Sequence, residues 1–171
     1  MKRFHLVSTM ALLSCTLGAP VIAGAEPLFT RLSGFEEVPP VATEASGNFL
    51  ADINDDNGDG TIEYALAYED LESDVLMAHI HLGQPGVNGG IIAWLCTTEN
   101  APAEAPEGTP ICPQEGVVTG TIRAEDVVGP ENQALDRGDM EELIQAIRLG
   151  VTYANVHTED FPNGEIRGQI R

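Results

Sequence analysis

The sequence predicts an all-β fold, an antiparallel β-sandwich with one crossover α-helix near 139–149. Three observations predict it. Short segments of partly alternating apolar and polar residues, each bounded by Gly, Pro, Asn or Asp, recur along most of the chain. Only one stretch carries a helical period. Strands and helices do not alternate as a parallel α/β sheet would require.

Taken in order, the candidate strands are "LFTRLSG" (28–34), "GNFLADI" (47–53), "TIEYALAYEDL" (61–71), "LMAHIHL" (76–82), "GIIAWLC" (90–96), "GVVTGTIRA" (116–124), "TYANVHT" (152–158) and "GEIRGQIR" (164–171). Eight strands in about 140 residues is close to what a sandwich uses. The helix is read from "DMEELIQAIRLG" (139–150), where Met140, Leu143, Ile144 and Ile147 fall on one face. Asp139 with Glu142 forms a capping-box pattern and Gly150 is a natural stop. The outward residues are mostly acidic, so this is a core-covering connection rather than a recognition helix.

Lys2 and Arg3 precede an apolar run from Leu6 to Leu17, followed by Ala23-Gly24-Ala25, the pattern of a secretory signal peptide over 1–25. Cys15 behind "LLS" also permits a lipoprotein acylation point, but the apolar chain continues to Ala25, which favours ordinary cleavage there. No later segment approaches the roughly 20 apolar residues of a membrane span. The expectation is a periplasmic or secreted protein with one domain at 26–171.

Removing residues 1–25 from 171 leaves 146, and taking Lys2 and Arg3 from the formal charge of −19 leaves −21, with six arginines and no lysine. A nucleic-acid or anionic-membrane partner is disfavoured, because so few cations cannot replace the counterions of a phosphate backbone. A solvated acidic surface or a cationic extracellular partner remains. Cys96 and Cys112 are the cysteines left in an oxidising compartment and are expected to bond to each other across "TTENAPAEAPEGTPI".

In a strand, His79 and His81 project from one face, the arrangement by which a strand offers two imidazole nitrogens to one ion. The structural alternative is a pair that hydrogen-bonds neighbouring loops. The third histidine of the mature chain, His157, is also in a strand pattern and shares a face with Tyr153 and Asn155. Three nitrogen ligands suit copper, zinc or iron. A weaker candidate, for calcium, is Asp55, Asn57, Asp59 and Glu63 at positions 1, 3, 5 and 9 of a calcium loop, undercut by Leu66 at position 12. A hairpin turn explains the same residues. There is no phosphate-cradling glycine loop, GxSxG elbow or CxxC, and no serine stands in a triad context.

"SGFEEVPPVATEASGNF", "AHIHLGQPGVNGG" and "YANVHTEDFPNGEIRGQI", in that order over roughly Leu32 to Arg171, resemble the CHRD domain. The resemblance implies a sandwich of immunoglobulin-like or superoxide-dismutase-like Greek-key type. Its motif residues here are Glu37, Pro39, Pro40, His79, His81, Gly83, His157, Thr158 and Pro162 with "GEIRGQI", and the Cys96–Cys112 loop is an insertion. Arg167 is expected to pair with Glu37 or Glu165. Three functions remain in competition: a metal-binding module on the three histidines, a superoxide-dismutase-like redox enzyme at the same residues, and a metal-free interaction module.

Overall fold

The structure is a computed structural model, and it describes residues 25–55 and 60–171. The signal-peptide reading and Cys15 lie outside the described residues, as do Asn57 and Asp59. All eight expected strands form: β1 (Glu26–Ser33), β2 (Ser46–Asn54), β3 (Thr61–Glu69), β4 (Val75–Leu82), β5 (Gly90–Thr97), β6 (Gly116–Ile122), β7 (Thr152–Thr158) and β8 (Ile166–Gln169). They hydrogen-bond as one antiparallel sheet in the order β5-β4-β7-β8-β1-β2-β3-β6. The join between β8 and β1 is thin, a single register pair of Ser33 with Arg167. The sheet therefore divides into two layers of four strands. They face one core that takes residues from β1 through β8, including Leu32, Phe49, Leu66, Ile80, Leu95, Val118, Val156 and Ile166, so the whole is barrel-like and nearly closed.

Helix α1 (Met140–Arg148) connects β6, at one edge of the sheet, with β7. Asp139 caps it by accepting from Glu142 N at 3.0 Å, and Gly150, at φ 66°, ends it. The face read from the sequence is the buried one: Met140, Leu143, Ile144 and Ile147, joined by Ala146. At its far end Arg148 donates to Glu26 and Asp55. No helix among the described residues is long and apolar enough to cross a membrane.

Two features of the β5-β4-β7-β8 layer position the histidines. Alternation in β4 sends Ala78 and Ile80 into the core and turns Met77, His79 and His81 to the other face. The β4–β5 register shifts beside both His79 and His81, so that Leu95 and Ile92 have no opposite residue and pack inward, both with no exposed surface. On β7, Ala154 and Val156 enter the core while Tyr153, Asn155 and His157 share the histidine face.

Cys96 and Cys112 are bonded. The loop they close lies on this same face, where Ala101 and Ala105 pack on a second apolar cluster of Leu76, Met77 and Trp94.

Candidate metal centre

β4 and β7 are adjacent and antiparallel, with Met77 opposite His157, His79 opposite Asn155 and His81 opposite Tyr153. Same-face side chains on neighbouring strands stand within a few ångströms of each other. The register thus brings together three histidines from two distant segments. One ligand atom from each of His79, His81 and His157 lies within 4.8 Å of the others. All three are buried, at 0, 7 and 6 % exposure, although they sit outside the main core.

Loops supply the cover. The β4–β5 loop places Gly89 so that its carbonyl meets His81 Nδ1 at 3.0 Å while its N–H donates to the Tyr153 hydroxyl at 3.2 Å. Only glycine fits there, because a Cβ would stand 1.6 Å from the Leu82 carbonyl oxygen. The β7–β8 loop places the Pro162 carbonyl 3.1 Å from His157 Nδ1. Trp94 closes a third side, its ring perpendicular to that of His79 with centroids 4.2 Å apart.

These contacts decide the tautomers. A carbonyl only accepts, so His81 and His157 each donate Nδ1–H to backbone and turn an Nε2 lone pair inward. His157 Nε2 is 3.1 Å from His79 Nδ1 and 3.1 Å from Asn155 Oδ1. Nε2 of His79 and of His81 are buried with no partner. Burial first, and then the neighbouring imidazoles, push His79 down to about 2; burial holds His81 and His157 at about 4. At neutral pH the three rings are uncharged and rich in unshared lone pairs.

The acids and Arg167 depart from the sequence reading. Arg167 pairs with neither Glu37 nor Glu165. It is almost wholly buried, with its guanidinium carbon 3.4 Å from the Tyr153 ring centroid and its nitrogens donating to Asn88 Oδ1, Gln84 O and Val87 O. Since β7 lies between β4 and β8, Tyr153 separates Arg167 from His81, which stacks on it with planes 3° apart. Glu165 is occupied otherwise, accepting from Thr158 Oγ1, Thr43 Oγ1 and Glu72 N. Glu37 is buried with Oε1 unpartnered, and burial raises it to about 7 against the opposing pull of Arg167 and the Asn155 amide.

Of the calcium candidates, Asp55 accepts from Arg148 Nη1 at 3.1 Å. Glu63 points outward from β3, opposite Asp52 and Thr121.

The CHRD domain family profile matches residues 28–170. The chain belongs to the CHRD family. The match covers nearly all of the described chain, and the histidine face lies wholly within it. Comparison with curated proteins and with solved structures found no match. What the CHRD motif residues do here must therefore come from their positions. Glu37, Gly83, His79, His81, His157 and Pro162 all converge on one face of the β5-β4-β7-β8 layer. Asn155, Tyr153 and Trp94 belong to the same site, and the sequence signal for the first two was their alternation with His157.

Proposed function

We propose that this CHRD domain is a metal-binding module of an exported protein, holding a transition ion through His79, His81 and His157. The observation that carries the reading is the pattern of lone pairs. His81 and His157 each donate one N–H to a backbone carbonyl, which is how protein metal sites orient their imidazoles. The inward Nε2 of His81 then has no protein partner, and a buried polar atom left unpaired costs about 1–3 kcal/mol. A purely structural trio would leave that cost unanswered, whereas a copper, zinc or iron ion accepts all three lone pairs. The burial of the site favours a held ion over an open redox centre with a substrate path.

The test is metal analysis of untagged protein purified from the exporting compartment, beside His81→Ala. Near-stoichiometric metal in the parent and its loss in a variant with unchanged circular dichroism support the reading. A parent with only trace metal, or a variant that keeps its ion, refutes it. A superoxide assay on the loaded parent separates the module from the enzyme.

A further inference from the structure

The site contains one polar group that neither the three histidines nor the loops account for. Asn155 Oδ1 stands 3.1 Å from His157 Nε2. The amide orientation follows from its other end. Asn155 Nδ2 faces the Glu37 carboxyl and stabilises its ionised form, and both groups press on Gly164, where a Cβ would lie 2.3 Å from Glu37 Oε1 and 2.8 Å from Asn155 Nδ2. The nitrogen therefore lies on the carboxyl side, where it can donate to either protonation state of Glu37, and the oxygen on the histidine side.

No neutral tautomer of His157 satisfies this geometry. With the proton on Nδ1, for Pro162 O, the Nε2 lone pair faces the Asn155 oxygen. With the proton on Nε2, the Nδ1 lone pair faces the Pro162 oxygen instead. His79 Nδ1–H can donate to His157 Nε2 but does nothing for Asn155 Oδ1. A cation between the acceptors answers the His157 Nε2 and Asn155 Oδ1 lone pairs together, with His79 Nδ1 turned toward the same point. Ligands about 2.0–2.1 Å from one ion at angles of 90–109° stand roughly 2.9–3.4 Å apart, and both the His79–His157 and the His157–Asn155 separations of 3.1 Å fall there.

We propose that Asn155 Oδ1 is the fourth ligand of the ion, completing an N3O set with His79 Nδ1, His81 Nε2 and His157 Nε2, and that Glu37 holds the amide in the ligating orientation. The proposal rests on the three-histidine reading and adds the class of ion. Met77 shares the face but packs into the Leu76 and Trp94 cluster, so no sulfur enters the set. Three imidazoles and an amide oxygen select a divalent ion such as Zn²⁺, Co²⁺ or Cu²⁺ over soft cuprous copper.

The experiment titrates metal-free full-length protein with Co²⁺, whose visible spectrum reports ligand type and number, and with Zn²⁺ against a chelator of known affinity. Asn155→Ala is expected to weaken Zn²⁺ by at least about tenfold, the lower end of what even outer-shell changes cost, and to alter the Co²⁺ bands. Asn155→Asp, nearly isosteric, should keep the affinity and shift the bands, because a carboxylate replaces the amide oxygen on the ion. It decides the matter if the alanine variant does not fold. A parent that binds Co²⁺ with both variants identical to it in affinity and spectrum overturns the Asn155 assignment and leaves the three-histidine reading standing. A parent that binds neither ion overturns both.

Discussion

His79 Nδ1 lies 3.1 Å from His157 Nε2 across 78 residues of sequence. The pairing of β4 with β7 creates this contact, and the chain must add β5 to the same layer, cross to the other layer for β6 and run through α1 before it returns as β7. Such a contact forms late and at a high loop-closure cost. Two imidazoles gain little from each other in return, since each is desolvated and neither carries a charge to pair. An arrangement of this kind is consistent with selection for what the nitrogens hold rather than for stability.

Cleavage after Ala25 would leave Glu26 as the first residue of β1, where its carboxylate already accepts from Arg148 Nε and Nη2, both at 2.9 Å. The mature chain is thus expected to begin at a residue tied to the end of α1. Intact-mass measurement of exported protein should give a chain starting at Glu26. A mass carrying a lipid on Cys15 would sink both the cleavage site and the expectation of a free periplasmic or secreted chain.

The Cys96–Cys112 bond closes a loop that packs Ala101 and Ala105 over Trp94, the tryptophan that lies against His79. Replacing both cysteines by serine should cost about 3 kcal/mol by the loop-entropy model. It should also red-shift the emission of Trp94, the one tryptophan in the chain, as water reaches its ring. Thermal unfolding and fluorescence read the two effects separately. Unchanged emission with lowered stability would show that the insertion covers Trp94 without help from the bond.

The strands, the helix and its cap, the disulfide and the histidine trio were legible because each is written locally, in a period, a spacing or a residue count. Asp139, for example, caps α1 whatever the rest of the chain does. The cover over the site was not legible. β4 is buried on both faces from Val75 to His81, because the β4–β5 loop, the 34–37 segment and the disulfide loop all land on its outer side. No local pattern announces which loop will fold over which strand. Arg167 shows the same limit: charge matching pointed to Glu37 or Glu165, yet the loop between Gln84 and Asn88 surrounds the guanidinium with oxygens of its own.

Gly164 offers a controlled test of how the Glu37–Asn155 contact supports the site. It sits at φ 121°, and a methyl group there would strike both partners. Gly108, at φ 88°, has nothing within 4 Å of the same position. Gly164→Ala should therefore lower both stability and metal affinity, whereas Gly108→Ala should cost only the backbone strain, about 1 kcal/mol. Chemical denaturation with a parallel Zn²⁺ competition assay would compare them. Equal metal affinity in the two variants would mean that the Asn155 amide needs no support from this side.

The pH dependence follows from burial. An exposed histidine titrates near 6.5, which on its own would release an ion as pH falls through that value. In the folded chain His81 and His157 stay neutral to about 4 and His79 to about 2. The unfolded chain therefore binds more protons at these sites below 6.5, so their contribution to stability is complete above 6.5 and declines as pH falls toward 4. Glu37 acts with the opposite sign: raised to about 7, it contributes below 4.5 and loses that contribution as pH rises through 7. Three rings against one carboxyl leave a net loss of metal-free stability on acidification. For the loaded protein the same burial predicts retention well below the ordinary histidine range, because the ligand nitrogens stay unprotonated while the fold persists. Dialysis from pH 7 to pH 3.5 followed by metal analysis should place the release midpoint nearer 4 than 6.5. A midpoint at 6.5 would mean that water reaches the three rings in solution, and the buried description of the site would fall with it.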